Sequence, residues 1–351
     1  MSKARDLANL GADTTNLEDI SSAYSAGALS NRNKIINGAM TIDQRNAGAA
    51  VTVNDVGSFF STDRFFGAAQ AADGVFTLQQ SATAPAGFVN SVIATVTTAD
   101  ASIGATQYYL FNQYIEGHNI ADLGWGTASA KPITLSFWAR SSLTGTFGGV
   151  ISNDGQNRSY PFTYAISAAD TWEYKTITIA GDTSGTWLTT NGVGIRLHID
   201  LGVGSTYRGT AGAWAGALYL GTTGATDVIS TLNATWQITG VQLEAGDTAT
   251  PFEHRSYGAE LALCQRYFYT NATSGFEALK TLFSTYGSTY NYLHWHFKVS
   301  MRAAPTIAGY TLGTLEASST EKVSAYSAGS NYAAFGFNGS AYGQVTASAE
   351  L

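Results

Sequence analysis

The sequence predicts an all-β protein, an antiparallel jelly roll or β-sandwich that follows a short helical or extended N-terminal segment. Three observations support this class. Apolar and polar residues alternate through much of residues 33–258, which is the period of a half-buried strand. Clusters of Gly, Asn, Asp and Ser, such as "NDGQN" and "GDTSG", separate these runs. Glycine is abundant, at 38 residues, and charged residues make up only 12% of the chain, against roughly 25% in an ordinary domain.

Residues 1–32 form the first predicted region, a segment for attachment and oligomerisation. Its apolar residues are spaced by 3, 7 and 7, as at the a and d positions of a short heptad repeat: Leu7, Leu10, Leu17 and Tyr24. Gly11 and the polar residues Thr14 and Ser21 make this a poor helix in isolation. Two interpretations stay open: a tail without stable structure, or a segment that becomes ordered when copies associate or when it docks on a partner.

The stretch "NRNKIINGAMTIDQRN", residues 31–46, is predicted to lead the chain into a folded body at residues 33–258. Ile35, Ile36 and Met40 would pack beneath the sandwich. The amide side chains would satisfy backbone groups at a sheet edge that water does not reach.

Two runs carry the clearest strand signal. The first, "PITLSFWAR", places three apolar side chains on one face: Ile133, Leu135 and Phe137. The second, "VGIRLHIDLG", lines one face with aliphatic residues and places Arg196, His198 and Asp200 opposite. In "WQITGVQLEAG" the apolar phase slips by one residue at Gly240, which predicts a β-bulge.

Residues 259–351 are predicted to form a short helix followed by a C-terminal β domain. "GAELALCQRYF", residues 258–268, contains good helix formers and is interpreted as a hinge. Alternation returns in "NYLHWHFKVSM", where His294 and His296 share one face. A metal site needs further ligands, and Lys298 on the same face would repel a cation, so no metal site is predicted.

Charge, cysteine content and hydropathy exclude several classes of protein. The net charge is −7 and Lys and Arg form no cluster, so nucleic acid is not expected as a partner. The single cysteine, Cys264, excludes an internal disulfide framework. No apolar run is long enough for a membrane span, and "MSKARDLANL" lacks the apolar core of a secretory signal. We expect synthesis in a cytoplasm and, for action outside that cell, release by a route such as lysis.

Candidate catalytic groups form no recognisable motif. The carboxylates are scattered and mostly lie in turns, and neither G-x-S-x-G nor H-E-x-x-H occurs. The Gly-rich stretches lack the phosphate-loop pattern. We therefore expect no catalytic residue and no cofactor.

Aromatic residues in Gly-rich, turn-like settings are the candidate binding residues. Sugars stack their C–H faces on aromatic rings, while amides and Arg hold their hydroxyls. The candidate glycan-binding residues are Trp125, Trp187, Tyr207, Arg208 and Trp214. Burial is the competing explanation for each loop tryptophan. The other tryptophans are predicted to pack along strands: Trp138, Trp172, Trp236 and Trp295.

Several ordered blocks together resemble the receptor-binding tail fibre proteins of tailed bacteriophages and their prophage relatives. They are "GALSNRNKIINGAMTIDQRN", "STDRFF", "YIEGHNIADLGWGTASAKPITLSFWARSS", "GDTSGTWLTTNGVGIRL", "WQITGVQLEAGDTATPFEHRSYGAELALCQRYF" and "MRAAPTI … TASAEL". The resemblance implies a virion structural protein, most often a homotrimer, with a sandwich like those of carbohydrate-binding modules. It also implies attachment to surface glycan. It supplies no catalytic residues.

The leading hypothesis is a non-catalytic virion fibre protein that binds host surface polysaccharide. Its partners would be further copies of itself and, through residues 1–32, other virion proteins. Two alternatives stay open. One is a capsid decoration, head fibre or connector with only a structural role, which predicts buried tryptophans at 125, 187 and 214. The other is a tailspike-like depolymerase, which needs two carboxylates in one groove.

Overall fold

Two six-stranded antiparallel sheets face each other across the main hydrophobic core, which confirms the predicted β-sandwich. The computed structural model describes residues 31–270 in full. Beyond them it describes residues 297–306 and 346–351, and the backbone of 284–286, 290–296, 307–308, 324–329 and 332–337. The segment with Leu7, Leu10, Leu17 and Tyr24 lies outside the described residues, as do the side chains of His294 and His296.

The sheets are formed by strands from across residues 51–245. The strands are β1 Val51–Val53, β2 Gly57–Phe60, β3 Phe66–Ala69, β4 Val75–Ser81, β5 Ser91–Thr98, β6 Tyr108–Glu116, β7 Ile133–Ser141, β8 Gly145–Ser152, β9 Ser159–Ile166, β10 Glu173–Ile179, β11 Val193–Val203, the short parallel pair β12 Arg208–Gly209 and β13 Gly221–Thr222, and β14 Thr235–Ala245. Sheet A has the order β1-β4-β5-β14-β7-β10 and sheet B the order β2-β3-β6-β11-β8-β9. Short 3₁₀ helices lie at Gly117–Asn119, Ala121–Leu123, Ser205–Tyr207 and Val228–Ser230.

The predicted alternation places the apolar faces in the core. The aliphatic and aromatic residues of β7 and β11 are buried there: Ile133, Leu135, Phe137, Ile195, Leu197 and Ile199. The predicted bulge is also present, because the pairing of β14 with β7 shifts between Thr239 and Gln242 and Gly240 has φ +63°. The shift lets Trp236 and Val241 both face the core although their spacing is odd.

Residues 31–46 pack beneath the sandwich as predicted. Ile35 and Met40 lie in the main core, and Ile36 lies in a second cluster with Cys264 and Tyr267. The Asn33 amide pairs with β14, since its Nδ2 donates to the Val241 carbonyl at 3.1 Å and its Oδ1 accepts from Leu243 N at 3.1 Å. The bulged strand thus obtains side-chain partners where the ladder is interrupted, inside sheet A and not at the sheet edge that the sequence predicted.

One α-helix, α1 (Tyr257–Gln265), follows the sandwich within the described chain. Its N-cap is Ser256, whose side chain accepts from Ala259 N at 3.4 Å. The helix ends three residues before the predicted limit of 268, because Phe268 begins a strand. The hinge role and the boundaries of the three regions stay predictions.

The remaining strands form two small antiparallel sheets. The first has the order β15-β21-β18, with β15 Phe268–Thr270, β18 Thr306–Ala308 and β21 Thr346–Ser348. The second has the order β16-β17-β20-β19, with β16 Ser284–Tyr286, β17 Tyr290–His296, β19 Ser324–Gly329 and β20 Tyr332–Phe337. No helix in the described part of the chain has the length and hydrophobicity needed to cross a bilayer.

Candidate functional site

Three of the predicted site residues form one tryptophan cluster. The ring centroid of Trp125 lies 4.5 Å from that of Trp187 and 5.3 Å from that of Trp214, in edge-to-face geometry. Each indole N–H donates to a backbone carbonyl, at Lys131, Ser184 and Ala180 respectively. Trp125 and Trp187 are only 6% and 7% exposed, and Trp214 is half-buried.

This packing corrects the expectation that the loop tryptophans present open rings. Gly-rich turns bring the three indoles together. Packing them against one another removes more apolar area from water than leaving each ring separately exposed on its own loop would. Trp125 and Trp187 therefore have no face on which a sugar could stack in this conformation. Glycan contact by Trp214 stays a prediction.

Arg208 is occupied by structural contacts. Its guanidinium forms an ion pair with Asp227 and also lies within 3.3 Å of the Thr222 carbonyl and 3.4 Å of the Ala225 carbonyl. These bonds hold the loop between β11 and β14 together. Arg208 therefore stabilises the loop, and its N–H groups are used in these contacts within the protein.

Tyr207, the neighbour of Arg208, lines a groove on the outer face of sheet B. The groove has a volume of about 450 Å³, which is within the range of small-ligand sites, roughly 300–1,000 Å³. The central strands form its floor, and the segments around Gln70, Thr106 and residues 207–220 form its walls. The lining residues are Ala68, Gln70, Thr106, Tyr108, Leu110, Asn112, Tyr114, Gln156, His198, Tyr207, Leu218 and Leu220.

The alternation of β6 and β11 decides which side chains reach this groove. On β6, Tyr109 and Phe111 face the core, so Tyr108 and Asn112 face outward. On β11, Ile199 faces the core and His198 faces outward, where it comes to lie next to Asn112, its cross-strand partner.

A hydrogen-bonded chain crosses the groove floor. His198 Nδ1 lies 2.6 Å from Asn112 Oδ1, and His198 Nε2 lies 3.4 Å from Ser152 Oγ. Burial lowers the pKa of His198 to about 3, with a smaller contribution from the positive charge of Arg196. The imidazole is therefore neutral. With the Asn112 amide oxygen facing the ring, as it does here, Nδ1 carries the proton and Nε2 accepts from the Ser152 hydroxyl.

The order hydroxyl, imidazole, amide is that of a nucleophilic relay, but its properties do not suit one. A general base needs a pKa near the working pH, and an imidazole with a pKa of about 3 cannot take a proton from serine efficiently. Ser152 is also fully buried. The hydrogen bonds among Ser152, His198 and Asn112 instead hold the polar groups of the groove floor in one orientation.

Tyrosine rings stand at both ends of the groove. At one end, Tyr108 and Tyr207 meet edge to face with centroids 6.1 Å apart. At the other end, Tyr114 packs against Phe66 at 5.0 Å, and the Arg196 guanidinium lies 4.3 Å from its ring centroid. All three tyrosines are half-buried, so each ring is fixed by protein contacts and still reaches solvent.

Sequence reasoning found Tyr207 but missed Tyr108, Asn112, Tyr114 and His198. The available signal was the outward face of "YYLFNQYIE", which carries two tyrosines and an amide at period two. The alternation of β11 does predict the outer face of its strand for His198, which is where the side chain lies. No three metal-ligating side chains cluster within the described portion of the chain.

Comparisons with known proteins give fold-level similarity only. No family model and no curated protein matches the chain. Among solved structures, the chain is similar to the enzymatically active domain of tailspike protein 4 from bacteriophage CBA120, with TM-score 0.33 and 12% identity, over 61% of this chain and 22% of that one.

Two further similar structures are sugar-binding by description. One is a putative sugar binding protein from Bacteroides thetaiotaomicron (TM-score 0.34, 14% identity, 61% of this chain and 100% of that chain). The other is the family 11 carbohydrate-binding module of the cellulase Lic26A-Cel5E of Clostridium thermocellum (TM-score 0.26, 13% identity, 56% and 99%). At these TM-scores the similarity carries no argument about a ligand.

Proposed function

We propose that the chain is a receptor-binding fibre protein of a phage virion, which attaches to a host surface glycan through the groove on sheet B without cleaving it. The observation that carries the binding proposal is the groove itself. It combines three anchored tyrosine rings with an oriented amide at its floor. Rings offer stacking surface to sugar C–H groups, and the amide and phenol groups offer hydrogen bonds to hydroxyls.

The virion role is supported by the resemblance of the ordered sequence blocks to phage tail fibre proteins. Such fibres are most often homotrimers, so we propose three copies of the groove in one assembly. Presenting several weak sites together raises the effective concentration, and overall avidity can exceed the single-site affinity by about 10²–10⁴. A shallow groove with a weak single site is compatible with firm attachment on that basis.

A purely structural role is the main alternative, and the buried Trp125 and Trp187 are what it predicts for those two residues. It gives no reason for the open tyrosine-lined groove elsewhere on the molecule. A depolymerase would need paired carboxylates in the groove, and none lines it among the described residues.

Binding is tested with the purified chain of 351 residues on an array of bacterial surface polysaccharides. Tyr207→Ala should abolish detectable binding, whereas Tyr257→Ala, at a 66% exposed ring on α1, should bind as the wild type does. Polysaccharide chain length should stay constant after prolonged incubation. Absence of any wild-type binding, or equal binding by Tyr207→Ala, would reject the groove as receptor site. Immunogold labelling of intact particles tests the virion role separately.

A further inference from the structure

The Asn112 amide at the centre of the groove floor offers a free donor to a ligand. Its Oδ1 is engaged by His198 at 2.6 Å. Asn112 as a whole is only 1% exposed, and its Nδ2 makes no hydrogen bond within the described chain although it is not fully enclosed. Because Asn112 lines the groove, the small open area of this nitrogen lies at the groove floor.

In the tautomer of His198 that carries its proton on Nδ1, the imidazole fixes the orientation of this amide. A terminal amide can rotate by half a turn and exchange its donor and acceptor, at little cost when nothing contacts it. Here a neutral imidazole donates to Oδ1, and the imidazole is itself held from the far side by Ser152 at 3.4 Å. With the proton on Nδ1, a reversed amide would oppose two donors, Nδ1–H and Nδ2–H, so in this tautomer the N–H groups stay directed at the groove.

The groove lining carries no formal charge in the described chain. None of its lining residues is Asp, Glu, Lys or Arg, and His198 is neutral. Arg196, a neighbouring cation, is paired with Asp154 at 2.5 Å and lies over Tyr114. A carboxylated or phosphorylated sugar would lose its hydration here without gaining a counter-charge, which is costly.

We propose that the groove selects an uncharged sugar residue, that Asn112 Nδ2 donates to one of its oxygen atoms, and that His198 is the positioning residue that keeps this donor in place. This inference rests on the proposed glycan-binding function. It assigns His198 no contact with the glycan.

The central test is an isosteric exchange at the floor. Asn112→Asp removes both N–H donors and leaves an acceptor-only group facing the ligand, so the dissociation constant for the glycan found on the array should rise about tenfold or more. Asn233→Asp makes the same chemical change at an exposed loop position and should have no effect. Unchanged affinity in Asn112→Asp would overturn the donor assignment.

The positioning role is tested by coupling and by spectroscopy. His198→Leu should weaken binding about as much as Asn112→Ala, and the double variant should be no weaker than either alone. His198→Gln retains an N–H donor and should recover most of the affinity. Should His198→Leu fail to fold, the imidazole ¹⁵N spectrum of the wild type decides. A ring protonated at Nδ1 and unchanged between pH 5 and 8 supports the proposal, and protonation at Nε2 overturns it.

The same array tests whether the bound polysaccharide is uncharged, and this result can be distinguished from failure of the proposed function. Wild-type protein should bind uncharged polysaccharides and ignore uronate-rich or phosphorylated ones on the same array. Binding confined to charged polysaccharides would leave a glycan receptor site but contradict this inference. Binding to no polysaccharide would reject the proposed function itself.

Discussion

Arg45 and Glu350 form an ion pair with 2.8 Å between Nη2 and Oε1, although 305 residues separate them in the chain. The second oxygen of Glu350 pairs with the deeply buried Arg64. Arg45 in turn lies 4.4 Å from the ring centroid of Phe60 and 3.6 Å from that of Phe268. Residues near 350 are thereby anchored to the sandwich beside the segment that leads the chain into it.

Glu350→Gln should destabilise the protein by about 3 kcal/mol, because it removes the carboxylate that pairs with two guanidinium groups in a partly dry site. The free energy of unfolding in urea measures this. Asp170→Asn provides the control, since the Arg140–Asp170 pair is largely exposed and should be worth less than about 1 kcal/mol. Equal losses of unfolding free energy in both variants would show that the buried ion pair contributes no more to stability than the exposed one.

Gly240→Ala should cost more stability than Gly224→Ala. Both glycines have positive φ, +63° and +81°, so both substitutions carry backbone strain of about 1–2 kcal/mol. At Gly240 a Cβ would also come within 2.6 Å of the Phe88 ring, whereas at Gly224 nothing lies within 4 Å. We expect an additional 1–3 kcal/mol, roughly, from this overlap. A difference near zero between the two unfolding free energies would mean that Phe88 moves aside freely.

Asp200 should make the protein less stable as pH rises from about 4 to 7. Burial raises the pKa of this carboxyl to about 7, against the attraction of Arg208 and together with the repulsion of Asp227. Between the unfolded value, about 3.9, and about 7, the unfolded chain releases a proton that the folded chain keeps, so stability falls with rising pH.

The full effect is about 4 kcal/mol and is complete above pH 7. Asp200→Asn should remove this slope, as seen by subtracting its unfolding free energy from that of the wild type at pH 4.5, 6 and 8. Asp55→Asn, at an exposed carboxylate, should keep the wild-type slope. A constant difference between wild type and Asp200→Asn across this range would contradict the prediction.

Trp187→Ala should lower stability by about 3–5 kcal/mol, as expected for removing a large side chain from a packed cluster. The groove lies on other elements, so the folded fraction should bind glycan normally. Tyr207→Ala should show the reverse pattern of small destabilisation and lost binding. Thermal denaturation and array binding on the same samples separate the packing role of Trp187 from the binding role of Tyr207. Loss of binding by folded Trp187→Ala would show that Trp187 contributes to the glycan site.

Removal of residues 1–30 should abolish incorporation into virus particles while leaving a soluble, folded body. The reason is that residues 1–30 are the predicted attachment segment, whereas Ile35 and Met40, which follow it, belong to the main core of the described residues. Circular dichroism of the truncated chain and its presence in purified particles are the two measurements. Aggregation of the truncated body would show that this division of the chain is wrong.

Local pattern was enough to predict the strands, the bulge at Gly240 and the burial of Ile35 and Met40. Alternation and a phase slip are properties of neighbouring residues, and a sheet buries whichever face is apolar. The burial of the loop tryptophans could not be predicted from neighbouring residues. Trp125, Trp187 and Trp214 lie in three separate loops, and their mutual burial follows from how the strands place those loops at one end of the sandwich.

The sequence by itself determined that this chain forms apolar-cored antiparallel sheets with few charges. Period-two alternation depends only on neighbouring residues, and composition does not depend on the fold at all. Only the tertiary structure decided where a ligand could bind. The pairing of β6 with β11 puts His198 against Asn112 although they lie 86 positions apart, and the loop held by Arg208 brings Tyr207 to the same groove. A site built from separate strands and a folded-back loop exists only once those strands have paired.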